Sequence, residues 1–228
     1  LPDWTPAAHI DVHLPEERIR QYSLCGDPGD RGVYRIAVLR APDGRGGSRF
    51  LHDEIDEGDT LSISPPRQHF GLVDAADYLF IAGGIGITPI LPMLDAVRSR
   101  GASWSLVYCG RNASSMAYRE HLRSDPRVSV RMSERGERLD TAELLAAQPP
   151  GTAVYCCGPE SLMKAAEHAV DSCAGMSIHV ERFAPIDVDL PVRPFDVTLV
   201  RSSRELHVPA DRALIDVLED AGVVVPAS

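Results

Sequence analysis

Between residues 78 and 180 the sequence alternates strand-like and helical patterns at a regular spacing. Strands are predicted at 78–82, 104–108, 127–131, 153–156 and 177–180, and helices at about 88–100, 115–123, 140–146 and 159–173. A chain with this rhythm folds as a parallel sheet with helices on both faces, because each parallel crossover needs a helix to return it to the same edge. The rest of the chain must attach to that layer.

The segment before it reads differently. Short β-type runs at 8–14, 19–25, 33–39 and 60–63 are separated by Gly, Pro and Asp clusters, the pattern of a small antiparallel barrel or sandwich. One helix interrupts it at 48–54, where Ser48 can cap and Phe50, Leu51 and Ile55 recur at helical spacing. After the α/β part, Pro185, Pro191 and Pro194 mark a stiff linker. Beyond it, 195–201 and 205–208 predict a hairpin around Ser202-Ser203, and 213–221 a helix ended by Gly222. The expected domains are therefore a barrel over 1–72, an α/β domain over 73–185, a linker over 186–194 and a ββα unit over 195–228, too short to bury a core of its own.

Composition narrows the partners. A formal charge of -10 argues against sequence-independent nucleic-acid binding, which needs clustered Lys and Arg on phosphates. No apolar run approaches the roughly 20 residues of a membrane span. The opening Leu1-Pro-Asp-Trp-Thr-Pro lacks a basic stretch followed by an apolar core, so neither a signal nor a transit peptide is expected, and the cytoplasm is the expected location. Cys25, Cys109, Cys156, Cys157 and Cys173 show no CxxC spacing and are odd in number, which disfavours a disulfide framework and a zinc site; no metal ligands are expected in this chain.

Four motifs carry chemistry. Ala82-Gly83-Gly84-Ile85-Gly86-Ile87-Thr88-Pro89 lies where an apolar strand gives way to a helix, so backbone N–H groups can approach a pyrophosphate at the positive end of that helix. Without a ligand, the same run is a Gly-rich tight turn. In Arg20-Gln21-Tyr22-Ser23, alternation projects Arg20 and Tyr22 from one face, which suits a flat anionic cofactor with a phosphate tail. Ordinary surface pairing is the competing reading. Gly44-Arg45-Gly46-Gly47-Ser48-Arg49, a basic turn at a helix start, is a second phosphate cradle or else a surface loop. Tyr155-Cys156-Cys157-Gly158-Pro159 again joins a strand end to a helix start, on the same sheet edge as Gly83-Gly84. Two anion sites imply two phosphate-bearing ligands.

Taken in order, these motifs resemble the ferredoxin reductase-like superfamily and, within it, the phthalate dioxygenase reductase family. Trp4 to Asp11, Arg20 to Gly26, and Tyr108 to Asn112 with Met116-Ala117-Tyr118 resemble the reductase domain fused to haem in self-sufficient cytochrome P-450 monooxygenases; vanillate demethylase-type reductases are also similar. The resemblance covers essentially the whole chain. It implies an antiparallel flavin-binding barrel lacking its first strand, then a parallel-sheet NAD(P)-binding domain, then a partial ferredoxin-like β-grasp unit.

The implied activity moves electrons from NAD(P)H through FMN to a 2Fe-2S centre and on to an oxygenase or haem monooxygenase. FMN would contact Arg20, Gln21, Tyr22, Ser23, the backbone at Ala37 and Val38, Gly46, Gly47, Ser48 and Thr88. Relatives carry a lysine where Leu39 stands, which leaves phosphate charge to Arg20, Arg40 or Arg45. The nucleotide would meet Gly84, Gly86, Thr88 and Pro89, with Cys157, Gly158 and Pro159 beside the nicotinamide and Glu181 and Phe183 arriving from the last strand. Ser23, Thr88, Cys157 and Glu181 form the implied reacting centre. After the second sheet strand stand Arg111, Asn112, Ser115 and Tyr118 with no nearby acid, which favours NADPH over NADH. The cysteine set of a plant-type cluster, C-x4-C-x2-C...C, is missing from 195–228 and is expected beyond Ser228. A monomer is expected, with an oxygenase or a haem domain as acceptor and fusion ahead of Leu1 left open. An FAD-dependent ferredoxin reductase and a non-catalytic nucleotide-binding module are the alternatives.

Overall fold

The computed structural model describes residues 1–42, 44, 46–173, 175–184 and 192–223. Leu1–Ala184 forms one compact unit, and the described residues beyond it belong to a second, which is taken by itself below. Most of the expected linker and the candidate phosphate residue Arg45 lie outside the described residues.

The first unit opens with an antiparallel sheet centred on β1 (Ala8–Leu14), which pairs with β2 (Arg18–Ser23) along its length. On its other side β1 meets two short strands, β3 (Ser62–Ile63) and β4 (Arg67–Gln68). Ala8, Ile10, Val12 and Leu14 pack with Trp4 and Leu24 into one core, so period two directs His9, Asp11 and His13 to the opposite face. The short helix α1 (Gly47–Asp53) begins one residue before the expected 48–54, with left-handed Gly46 as its N-cap and no side-chain cap bond, so Ser48 lies inside the helix and does not cap it.

The strand expected at 33–39 does not join the ladder. Tyr34 and Ile36 still turn onto the barrel core. The segment is held instead by a bond from Cys25 N–H to the Arg35 carbonyl, 2.8 Å, and by the His52 ring nitrogen donating to the Val38 carbonyl, 2.8 Å. A side chain of α1 satisfies a backbone acceptor that a neighbouring strand would otherwise take.

The parallel layer follows the expected alternation: β5 (Asp77–Gly83), α2 (Ile87–Ser99), β6 (Ser103–Gly110), α3 (Arg119–Leu122), β7 (Val128–Met132), α4 (Thr141–Ala146), β8 (Ala153–Cys157), α5 (Glu160–Val170) and β9 (Ser177–Glu181). Its order is β7-β6-β5-β8-β9, with every pairing parallel. Central β5 is buried on both faces, Tyr78, Phe80 and Ala82 in one core cluster and Leu79 and Ile81 in the other. Such two-sided burial explains its near-continuous apolar sequence. The chain first builds to one side of β5, then crosses back to lay β8 and β9 on the other. The C-terminal ends of β5 and β8 therefore frame the crevice where open α/β sheets bind ligands.

The helix expected at 115–123 is shortened most, and α5 also ends earlier than the expected 173, at Val170. The side chain of Asn112 accepts from Ser115 N–H at 3.1 Å in a reciprocal cap, which closes a single 3-10 turn over Ala113–Ser115. Tyr118 then sits at φ 59, a left-handed conformation that breaks the helix, and only Arg119–Leu122 remains α-helical.

The two sheets of this unit are fastened through Tyr155 on β8. Its hydroxyl accepts from Val73 N–H at 2.7 Å and donates to the Gly71 carbonyl at 2.9 Å, while Phe70 packs edge-on against its ring. Buried bonds of this kind contribute about 1 kcal/mol each, and losing one partner costs more.

In the second unit, β10 (Phe195–Leu199) and β11 (Arg204–Val208) form the expected antiparallel hairpin, followed by α6 (Leu214–Asp220), which ends at Gly222 with φ 72. Among the described residues, no helix is long and apolar enough to cross a membrane.

Candidate active site

At the end of β5 the chain makes one 3-10 turn, Gly84–Gly86, before α2 begins at Ile87. Gly84 has φ 54 with open space beside it, so a ligand can approach the backbone there. Gly86 sits against the turn that leaves β8. A Cβ at this position would fall 2.8 Å from the Gly158 nitrogen and closer still to the Cys157 carbonyl. Thr88 and Pro89 fill the buried first turn of α2, where the Thr88 hydroxyl donates to the Ile85 carbonyl at 3.0 Å. Gly158 and Pro159 lead into α5 beside this turn.

Register aligns the next residues. Cys157 pairs with Ala82 on one side and with Glu181 on the other, so thiol and carboxyl end adjacent strands at the same level of the sheet. Ser23, which ends β2 and is 5% exposed, reaches the same place from the antiparallel sheet and hydrogen-bonds Glu181. Burial pushes the Glu181 carboxyl up to about 7, and the bond with Ser23 only partly offsets this. Burial, and then the neighbouring Glu181 charge, also holds the Cys157 thiol well above the usual thiol range. Cys157 is thus a neutral, fully buried thiol, and Glu181 is a carboxyl poised to change charge near neutral pH. Ser23, Cys157 and Glu181 are brought together, and Thr88 stands on the turn that packs against Cys157.

Arg20 and Gly47 meet at the start of α1, where a Cβ on Gly47 would lie 2.7 Å from the Arg20 Cγ and Nε. The Ser48 hydroxyl accepts from Ala41 N–H at 3.1 Å, and His52 holds the Val38 carbonyl, so the 37–41 segment is drawn to the same helix. Tyr22 is half-buried in the barrel core, and Gln21 points out on the other face. Sequence reasoning missed Arg18. Its guanidinium lies over the Gly46 turn, 2.8 Å from where a Cβ would stand, and 6.0 Å from the Phe50 ring. The signal was present, since alternation places Arg18 on the face of Arg20 and Tyr22. Arg40, the other basic candidate, is engaged by Asp53 through two hydrogen bonds.

At the end of β6, Arg111 and Ser115 are exposed, and Asn112 is used locally to close its turn. The expected absence of an acid here is corrected. Glu134, which follows β7, accepts from the Asn112 amide at 2.8 Å. Twenty-two positions separate the two residues, and only the β6–β7 pairing brings them together. The Tyr118 hydroxyl lies 3.3 Å from the Cys25 sulfur, which ties this loop back to the end of β2. Phe183, just past β9, is 52% exposed.

Two of the three expected groups fit these residues. A flavin phosphate fits the paired guanidinium groups over a turn that only glycine leaves open, and a dinucleotide fits the Gly84–Gly86 turn. A 2Fe-2S cluster does not fit: all five cysteines precede Ala184, and the described residues hold no group of three metal-ligating side chains.

Known proteins bear on this geometry. The oxidoreductase NAD-binding domain family matches residues 80–168. The haem-dependent oxidative N-demethylase beta subunit of Ectopseudomonas mendocina (strain ymp) is 42% identical over 99% of this chain and 74% of its own length. Among solved structures, an intact type IV self-sufficient cytochrome P450 monooxygenase matches with TM-score 0.91 at 40% identity, over the whole chain but only 30% of its own. Phthalate dioxygenase reductase, described as a modular structure for electron transfer from pyridine nucleotides to [2Fe-2S], matches with TM-score 0.79 at 35% identity, covering 100% of this chain and 73% of its own. Similar in fold from end to end and in sequence at over a third of its positions, the chain belongs to the phthalate dioxygenase reductase family of oxygenase reductase components.

Proposed function

We propose that this chain takes electrons from NAD(P)H onto FMN and passes them on toward an oxygenase or haem monooxygenase. The observation that carries this reading is the meeting of Ser23 from one sheet with Cys157 and Glu181 from the other, next to a glycine turn at the sheet's switch point. When bound, a flavin supplies the conversion of a two-electron hydride donor into single-electron steps.

The chain's own residues bind, orient and shield. Arg18 and Arg20 are the phosphate ligands, and their closure over the Gly46-Gly47 turn favours FMN, which ends at a phosphate, over FAD. The Gly84–Gly86 backbone and the start of α2 receive the pyrophosphate. Cys157, kept neutral, contributes a small apolar wall beside the nicotinamide, and Glu181 contributes a carboxylate whose charge depends on pH. Holding donor and acceptor in register is the main catalytic contribution such a site makes to hydride transfer. No step is assigned to a cluster, for which the described residues offer no ligands. A cytoplasmic, monomeric protein that docks an acceptor domain completes the proposal.

Reconstitution tests it. Purified protein incubated with FMN or FAD is expected to bind FMN one to one and then to reduce ferricyanide with NAD(P)H. Protein that stays colourless, or that binds flavin without NAD(P)H-dependent reduction, would overturn the reading.

Nucleotide choice is assigned to Glu134. A carboxylate beside Asn112 repels a 2'-phosphate and accepts from a 2'-hydroxyl, so it works against the NADPH preference that the nearby Arg111 suggests. Glu134→Gln is expected to raise the NADPH-to-NADH ratio of kcat/KM about tenfold. An unchanged ratio would show that this carboxylate does not face the ribose.

A further inference from the structure

The outer face of β1 carries polar residues that the site described above does not use. His9 and Asp11 are both buried there. Register sets His9 directly across from Ser23 of β2 on one side and from Arg67 of β4 on the other. Residues paired in this way share a face, with Cβ atoms roughly 5 Å apart, so Ser23, His9 and Arg67 form one row across three strands. The row extends at both ends. Ser23 reaches Glu181, and the His9 ring lies 5.5 Å from that of His69, which is exposed to solvent.

The atoms in this row are unusual in another way. His9 Nε2, Arg67 Nε and Glu181 Oε2, with Asp11 Oδ1 two residues further along β1, are buried without a hydrogen-bond partner among the described residues, as are Trp4 Nε1, Trp104 Nε1 and His179 Nε2. Elsewhere in a folded protein such atoms are almost always paired, with protein or with ordered water. Four of these seven atoms gather on one face between Glu181 and the exposed His69, where bridging water can satisfy them and link the row to solvent.

The surrounding charges set its state. Facing His9 are Arg67 and His69 from β4 and the residues after it, Asp11 from its own strand and, through Ser23, Glu181. Burial, then Arg67, then His69 lower the His9 pKa, and only Asp11 raises it. Asp11 is itself taken up by Arg67 in an ion pair of 2.6 Å. His179, two residues before Glu181 on β9, is stacked on Tyr155 at 4.6 Å and is also kept neutral by burial. A neutral imidazole can accept a proton on one nitrogen and release one from the other.

We propose that His9 and His69 carry protons between the buried reaction centre and solvent, along a path from Glu181 through Ser23 and His9 to His69. The proposal rests on the function proposed above. Each NAD(P)H oxidised delivers one hydrogen with two electrons. Once both electrons have gone singly to the acceptor, that hydrogen remains as one proton, which must leave a centre walled by Cys157, Thr88 and the core. Glu181 takes it, Ser23 relays it by accepting one proton and giving another, and His9 passes it to His69 and the bulk. His9 and His69 act through Ser23 and Glu181, as positioning residues for the proton.

The test uses the FMN-loaded full chain and the variants His9→Asn and His69→Asn. His13→Asn serves as control, since His13 lies on the same face of β1 but is exposed and bonded to Ser64. Flavin reduction by NAD(P)H, reoxidation by ferricyanide and proton release to an indicator dye are followed between about pH 6 and 8, in water and heavy water. Reoxidation and proton release are expected to slow about tenfold in both variants, with a larger solvent isotope effect and with rescue of His69→Asn by added imidazole. In the flavin-free protein, His9→Asn is expected to move the carboxyl titration of Glu181 seen by NMR. Should His9→Asn fail to fold, the exposed His69→Asn decides alone. Rates and isotope effects in His69→Asn equal to those of His13→Asn at every pH overturn the path and leave the electron-transfer reading standing. A parent protein that binds no flavin, or is not reduced by NAD(P)H, overturns both.

Discussion

Gly86→Ala is expected to lower kcat/KM for NAD(P)H about a hundredfold, because the added methyl displaces the turn that carries Cys157. The contacts it would meet are the Cys157 carbonyl carbon and oxygen and the Gly158 nitrogen, all backbone, so no side chain can swing aside to relieve them. Either β8 and α5 shift away from α2 or the first turn of α2 lifts. Both widen the gap between the Gly84–Gly86 turn and Cys157. Overpacking of this kind costs about 1–3 kcal/mol, so urea unfolding should show a reduced midpoint alongside the kinetic loss. Flavin affinity should be nearly unchanged, since Arg20 lies on β2 and Gly47 and Ser48 on α1, none of them on the displaced elements. Activity within twofold of the parent, with an unchanged midpoint, would show that the two turns are not in contact.

The second large effect concerns Glu181. Its folded pKa is raised from 4.5 to about 7, so the folded state favours the protonated form. Stability from this residue is fully present below about pH 4.5 and is lost as pH rises through about 7, by on the order of 3 kcal/mol if the whole shift is expressed. Glu181→Gln removes the buried charge. It should therefore be more stable than the parent at pH 8 and nearly equal to it at pH 5. Function has the opposite sign. A nicotinamide giving up hydride becomes positive, and a carboxylate beside it favours that change. Flavin reduction by NAD(P)H in the parent should accelerate through about pH 7, whereas the glutamine variant should stay flat at the low-pH rate, about tenfold below the parent at pH 8. Denaturant melts and stopped-flow absorbance at the two pH values measure both arms. Parallel pH profiles for parent and variant would rule out Glu181 as the titrating group.

The parallel layer was legible because its strands obey a strong rule. β5 after Asp77 and the whole of β8 are buried and built almost wholly of apolar residues, and each is followed by a glycine turn that announces the next helix. Less legible was whatever depended on a side chain bonding to backbone. Asn112 shortens the helix expected at 115–123, and His52 occupies the carbonyl that a strand partner of 33–39 would have used. The site residues near the glycine turns could be named from local pattern. Glu134 could not, since only strand pairing brings it to Asn112. For Arg18, His9 and Asp11, alternation showed which residues share a face but not that the face is covered by other protein.

Tyr155 has one more implication. It lies two residues before Cys157 on the same strand, and its hydroxyl clasps both Gly71 and Val73 of the passage linking the two sheets. A hinge-bending motion that parted the two sheets would have to break this clasp two residues from the buried Cys157 thiol. The two sheets of this unit are therefore held in a fixed relation at the level of Cys157 by the fold's own hydrogen bonds.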